Sequence, residues 1–132
     1  MKAMARMAVA VVLLAVAAGG CAVATTPSLE PLVVGGEQFF TLDWEASERR
    51  GRPIVRGRIG NEWGFTAHRV QLLVEGLDGA GRVVSQTVGW LGGELTPGTH
   101  AWFDVPVPAP APAYRVRVFA WDWLQHASGD IP

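Results

Sequence analysis

Past its first twenty residues the chain is built from short runs whose side chains alternate in character, and none of these runs carries a convincing helical stripe. In "RVQLLVEGLD", Val70, Leu72 and Val74 share one face, while Arg69, Gln71, Leu73 and Glu75 share the other. "AYRVRVFAWDW" repeats the pattern, with Tyr114, Val116, Val118 and Ala120 opposite Arg115 and Arg117. A period of two is that of a strand with one face on a core. On this basis strands are expected over 38–44, 54–61, 68–77, 82–90, 99–105 and 114–123.

The punctuation between these runs agrees with an all-β chain. "DGAGR", from Asp78 to Arg82, is a short Gly-bearing loop of the hairpin kind. "LTPGT" places Pro97 and Gly98 as a type II turn requires, with glycine where φ must be positive. "VPVPAPAPA" has proline at every second residue and cannot donate a continuous ladder, so it is expected to be an extended crossover. Six short strands with one long connection predict a two-sheet β-sandwich of six to seven strands occupying residues 37–132.

How that sandwich is held together is constrained by Cys21, the single cysteine among 132 residues. No internal disulfide can form, and no cysteine-based zinc site can be assembled from one thiol. The core must hold by packing alone.

The segment that contains Cys21 reads as an address. "MKAMARM" is short and basic, "AVAVVLLAVAA" is continuously apolar, and Gly19 and Gly20 precede the cysteine. This is the three-part layout of a secretory signal over residues 1–20, and its apolar run is well short of the roughly 20 residues a spanning helix needs. Two routes of processing fit. "AVA" at Ala22 to Ala24 is an A-x-A site that would release a soluble periplasmic or secreted protein. The other route resembles a bacterial lipobox, with Ala18, Gly19 and Gly20 before the cysteine, although that family pattern most often carries leucine where Ala18 stands.

The lipobox resemblance implies that Cys21 becomes the lipid-modified first residue of an envelope lipoprotein. A thioether would consume a thiol that otherwise has no partner in an oxidising compartment, and more than one acyl chain gives stable attachment. Ala22, in place of the Asp that retains lipoproteins at the inner membrane under an enteric-like rule, is compatible with the periplasmic face of the outer membrane. Residues 22–36, "AVATTPSLEPLVVGG", lack a period and suit a flexible tether.

Charge narrows the function. Both leader cations, Lys2 and Arg6, leave with the signal, so nine of the eleven cations remain against twelve carboxylates, a net charge of −3. That is no footprint for nucleic acid. His68, His100 and His126 show no metal-site spacing, although strand pairing could bring His68 near His100. Ser28, Ser47, Ser85 and Ser128 lack a G-x-S-x-G context, and the carboxylate pairs Asp43 with Glu45 and Asp122 with Asp130 read as strand-edge and tail solvation. "GGEQFF" and "GWLGGE" are not placed between a strand and a helix, so no phosphate cradle or cofactor motif is present. A catalyst is not expected.

From Val55 onward the chain resembles the FxLYD-type domains, small immunoglobulin-like sandwiches of exported prokaryotic proteins. The resemblance lies in the order and spacing of "VRGRIGN", "AHRVQLLVEGLDGAGRVV", "LTPGTHAWFDVPV" and "YRVRVFAWDW", across roughly residues 50–124. At the motif that names the family, Phe-x-Leu-Tyr-Asp, this chain has Val74-Glu75-Gly76-Leu77-Asp78. The resemblance implies a β-sandwich and an extracytoplasmic setting, and brings no catalytic residues with it.

The aromatic residues are the remaining candidates. Six tryptophans exceed what one small core needs. If the face carrying Tyr114 to Ala120 is inward, Trp121 and Trp123 point outward as a binding patch, with Trp63 and Trp90 as further anchors. The competing reading covers Trp121 and Trp123 with the tether or the strand "FFTLDWEA", or reverses their facing through a bulge. The expected protein is thus a non-enzymatic binding or scaffolding module, attached to membrane lipid through Cys21 and facing another envelope protein; the alternative is a soluble periplasmic carrier or chaperone released after Ala24.

Overall fold

The computed structural model of the protein describes residues 29–124, so the leader, Cys21, both processing sites and His126 lie outside the described residues. After a short 3₁₀ turn, Gly36–Gln38, six strands follow: β1 (Phe40–Arg49), β2 (Arg52–Asn61), β3 (Thr66–Leu77), β4 (Val83–Trp90), β5 (His100–Pro106) and β6 (Ala113–Leu124). They form two antiparallel sheets with orders β1-β2-β5 and β4-β3-β6. The protein is an all-β two-sheet sandwich, and these orders are those of strands A-B-E and C′-C-F of an immunoglobulin-like fold. Each expected strand is present, and β1 runs five residues further than the expected 44.

That extension exists because β1 and β2 form a two-residue hairpin. Arg50 and Gly51 both have positive φ, 53° and 76°, as a type I′ turn needs. "DGAGR" closes β3 to β4 as expected. The Asp78 carboxylate accepts from the backbone amides of Ala80 and Arg82 at 2.9 Å and from the Arg82 side chain at 3.1 Å. In "LTPGT" the Thr99 amide donates to the Thr96 carbonyl at 3.2 Å, and Gly98 has φ 74°. The proline-alternating segment carries the chain from sheet to sheet between β5 and β6.

Where that crossover enters β6, the Tyr114 hydroxyl donates to the Ala109 carbonyl and accepts from the Ala111 amide, both at 3.0 Å. This is the tyrosine corner of immunoglobulin-like folds, and it pins an arch whose prolines supply few donors of their own. Between the sheets lie Val55, Ile59 and Phe103 from one side, and Val70, Leu72, Val74, Val116 and Val118 from the other. Gly57 belongs to this inner layer. A Cβ there would meet the Asp43 carbonyl and the Phe103 ring inside van der Waals distance, so the "VRGRIGN" run needs glycine for β1 to pair closely.

The same run ends on Asn61, which is fully buried. Its amide donates to the Phe65 carbonyl at 2.8 Å and the Leu95 carbonyl at 2.9 Å, and its oxygen accepts from the Trp63 amide at 2.9 Å. One side chain thereby closes the β2–β3 connection and ties it to the loop after β4.

The edge of sheet β4-β3-β6 is covered before β1 begins. Residues 29–36, read from sequence as the end of a tether, lie against the domain. The Leu29 backbone pairs with the Gln86 side-chain amide at 2.8 and 2.9 Å, Glu30 faces Arg117 at 3.5 Å, and the Leu32 amide donates to the Phe119 carbonyl at 2.8 Å. The docked domain therefore starts earlier than residue 37.

Candidate functional site

Trp121 and Trp123 do not form an outward pair. Trp121 is 7% exposed and Trp123 is half-buried against the core. The cause is a bulge in β6. Leu72 pairs with Val118 and Gln71 with Ala120, leaving Phe119 as an extra residue that shifts the alternation by one. Val116 and Val118 face inward before the bulge, and Trp121 and Trp123 face inward after it. The opposing strand carries a compensating irregularity between His68 and Gln71, where Arg69 has φ 52°.

Turned inward, the two indoles meet Phe40 from the N-terminal strand, at ring-centroid distances of 5.2 Å for Trp121 and 5.7 Å for Trp123. Phe39 packs edge-on against Trp123 at 5.4 Å and against Trp63 at 4.8 Å. Edge-to-face packing at such distances is favourable beyond area burial alone. Trp63 and Phe65 are left about half exposed at the rim of this cluster. Trp90, at the end of β4, is 66% exposed.

The most exposed tryptophan is one that sequence reading did not single out. Trp102, on β5, is 75% exposed. Along "HAWFDVP" the inward positions Ala101, Phe103 and Val105 alternate with His100, Trp102, Asp104 and Pro106, so sharing parity with histidine and aspartate was the available signal. Strand register places Trp102 in a row with Arg58 and Asp43, and the next row holds Asp104, Arg56 and Glu45.

Across that face Arg58 pairs with Asp43 at 3.6 Å and lies 5.9 Å from the Trp102 ring centroid. Arg56 approaches Asp104 at 3.6 Å, and Arg49 also pairs with Asp104. Between the two rows the surface dips over the backbone of Trp44 and Gly57, in a concavity of about 390 Å³ with Trp102 as one wall. Charges of both signs beside a bare indole offer an apolar plate and several hydrogen-bonding groups at once. This is the chemistry of an interaction surface.

A second cavity, about 680 Å³, opens between the edges of β1 and β6. Phe40, Leu42, Val116 and Val118 make its apolar wall, and residues 30–36 lie along its mouth with Glu30, Glu37 and Arg117.

On the outward side of sheet β4-β3-β6 sits a buried ionic group. Glu75 is 1% exposed, and its carboxylate accepts from Arg115 at 2.9 Å, from Arg117 at 2.9 and 3.1 Å and from Gln86 at 3.0 Å. Burial pushes the Glu75 carboxyl up. The hydrogen bonds from Arg115 and Gln86, with the charges of Arg117 and Arg115, outweigh it and hold the group below its usual value. Gln86 links this group to Leu29.

His68 and His100 are not brought together. His68 pairs opposite Asp122 in one sheet and His100 opposite Gly60 in the other. Among the described residues no three His, Cys, Asp or Glu side chains gather as a metal cluster, and no helix is long and apolar enough to cross a membrane. No family model matches the chain, and neither does any curated protein or solved structure.

Proposed function

We propose that the protein is a non-enzymatic binding module of the bacterial cell envelope, attached by lipid on Cys21, and that it takes a partner on the outer face of β1-β2-β5. The single observation that carries the binding reading is Trp102. A side chain of this size is 75% exposed in mid-strand, beside Arg58 and over a concave surface, where a solvated face needs no aromatic. The FxLYD-like order of segments and the lipobox-like "AAGGC" support the extracytoplasmic setting. The charged groups favour binding over catalysis: Glu75 is committed to two guanidiniums, and His68 and His100 sit in different sheets.

Two measurements test this reading. The mature protein should carry a diacylglycerol-sized mass increment on Cys21 and fractionate with membranes, and Cys21→Ala should abolish both. An unmodified N-terminus near Thr25 would defeat the anchor. Capture of envelope components by the full-length protein should fall several-fold for Trp102→Ser and be little changed for Trp63→Ser. Equal recovery with Trp102→Ser would remove this face as the binding surface.

A second reading, a soluble carrier released after Ala24, is favoured by the 680 Å³ apolar cavity between β1 and β6. Native mass spectrometry of the purified protein separates the two readings. A carrier retains a small apolar ligand that Leu42→Trp displaces.

A further inference from the structure

We infer that the outer face of β4-β3-β6, together with the docked segment 29–36, is the surface this protein lays against the lipid bilayer, leaving Trp102 and the opposite sheet turned away from the membrane. The inference rests on the lipid anchor at Cys21 and adds an orientation to it. Seven residues, 22–28, separate Cys21 from Leu29. Eight peptide steps reach at most roughly 27 Å when fully extended.

Where that short reach ends is set by the fold. The Leu29 backbone is held by Gln86, and Gln86 pairs across the strand with Glu75 on the outward side of the sheet. The chain therefore leaves the domain from this face and not from an end of the sandwich. To put the opposite face on the membrane, the tether would have to climb past both sheets and their side-chain layers, on the order of 20 Å. That would leave it nearly straight and strip it of conformational freedom. With the exit face down, no such climb is needed.

The exit face also has the chemistry for a bilayer surface. Trp90 pairs with Gln71 between the inward residues Val70 and Leu72, so its indole stands on the outward side, 66% exposed. Leu29 of the docked segment is exposed beside Gln86 on this face, and Leu32, whose backbone meets the β6 edge of the same sheet, is exposed as well. Tryptophan is favoured at the membrane interface, where its ring is half in an apolar layer. Arg115 and Arg117 offset Glu75 and Glu30 within the face, so no net negative charge opposes approach to lipid phosphates. A second, weak contact of this kind adds to an acyl anchor at the high local concentration the tether imposes.

Because Cys21 is the sole cysteine and would be lipidated, any introduced cysteine is the only free thiol of the mature protein. The test uses full-length lipidated Gln71→Cys and Thr41→Cys, each labelled with a small fluorophore. Both are reconstituted into phosphatidylethanolamine–phosphatidylglycerol vesicles that carry nitroxide-labelled phospholipid. Gln71 lies beside Trp90 on the exit face, and Thr41 lies on the opposite sheet. The label at position 71 should be quenched several-fold more strongly than the label at 41, and Trp90→Asp should narrow the difference. Equal quenching, or stronger quenching at 41, overturns the orientation. The intact mass of the same samples separates the two ideas. Lipid on Cys21 without differential quenching defeats the orientation alone, whereas absence of lipid defeats the anchor and the orientation together.

Discussion

Single side chains carry the polar organisation of this fold, and their loss should be measurable one at a time. Glu75 is ionised and paired in the folded protein, with its carboxyl held below the usual 4.5, so it stabilises the fold at every pH above about that value. The stabilisation is lost as pH falls from 4.5 through the lowered folded value, because only the unfolded chain takes up the proton readily. Glu75→Gln leaves Arg115 without its counter-charge and Arg117 with only the outer Glu30, and should cost about 1 to 3 kcal/mol near neutral pH. Urea unfolding between pH 3 and 7 should show a shallower acid limb for the variant; an unchanged slope would assign the acid sensitivity elsewhere. Asn61→Ala removes three hydrogen bonds from a fully buried side chain, taking a partner from the Phe65 carbonyl and the Trp63 amide while the Leu95 carbonyl keeps the Ala67 amide, and should cost about 1 to 3 kcal/mol. Tyr114→Phe removes only the two corner bonds at 3.0 Å, at about 1 to 2 kcal/mol by the same measurement. The Asn61 role was within reach of the sequence only as a motif position, since its three partners come from two different loops.

Elements show where alternation is a sufficient guide and where it fails. All six strands could be placed because each carries its own period and its own turn residues, from Asp78 to Pro97 and Gly98. The facing of β6 could not be placed, because a bulge is one residue of pairing geometry and leaves no mark on the pattern. "YRVRVFAWDW" reads equally well with either end inward, and the choice is made by Phe39 and Phe40, some eighty positions earlier in the chain. Deleting Phe119 would remove the extra residue and leave Val116, Val118, Trp121 and Trp123 inward in strict alternation, with Phe40 keeping its partners. The deletion should therefore keep the near-ultraviolet circular dichroism of the packed tryptophans, and loss of that signal would show that the cluster needs the bulge itself and not only the inward facing. By contrast, Trp121→Ala in a protein of unchanged register should cost about 3 to 5 kcal/mol, and Trp90→Ala less than about 0.5. Trp102 was legible by the same parity rule, from His100 and Asp104 on either side of it.

At the scale of the whole molecule the same limit recurs at the domain's boundary. "PSLEPLVVGG" has no period, because a segment that lies across strands and does not join a sheet repeats nothing that alternation can register. Yet residues 29–36 bring the Leu29 backbone to Gln86, Glu30 to Arg117 and the Leu32 amide to the Phe119 carbonyl, and they pack Val33 against the core. These contacts cover the bulge that aims Trp121 inward and the side of the sheet where Glu75 is buried. A chain beginning at residue 37 should therefore fold less stably than one beginning at residue 29, by about 2 to 4 kcal/mol if two to three hydrogen bonds and one apolar side chain are lost. Denaturant midpoints of the two chains would show it, and a matched pair of midpoints would mean that the segment merely rests on the surface. A segment that belongs to the fold also fixes the place where the chain leaves it, and the proposed lipid on Cys21, eight steps back, would then confine which face can approach a bilayer.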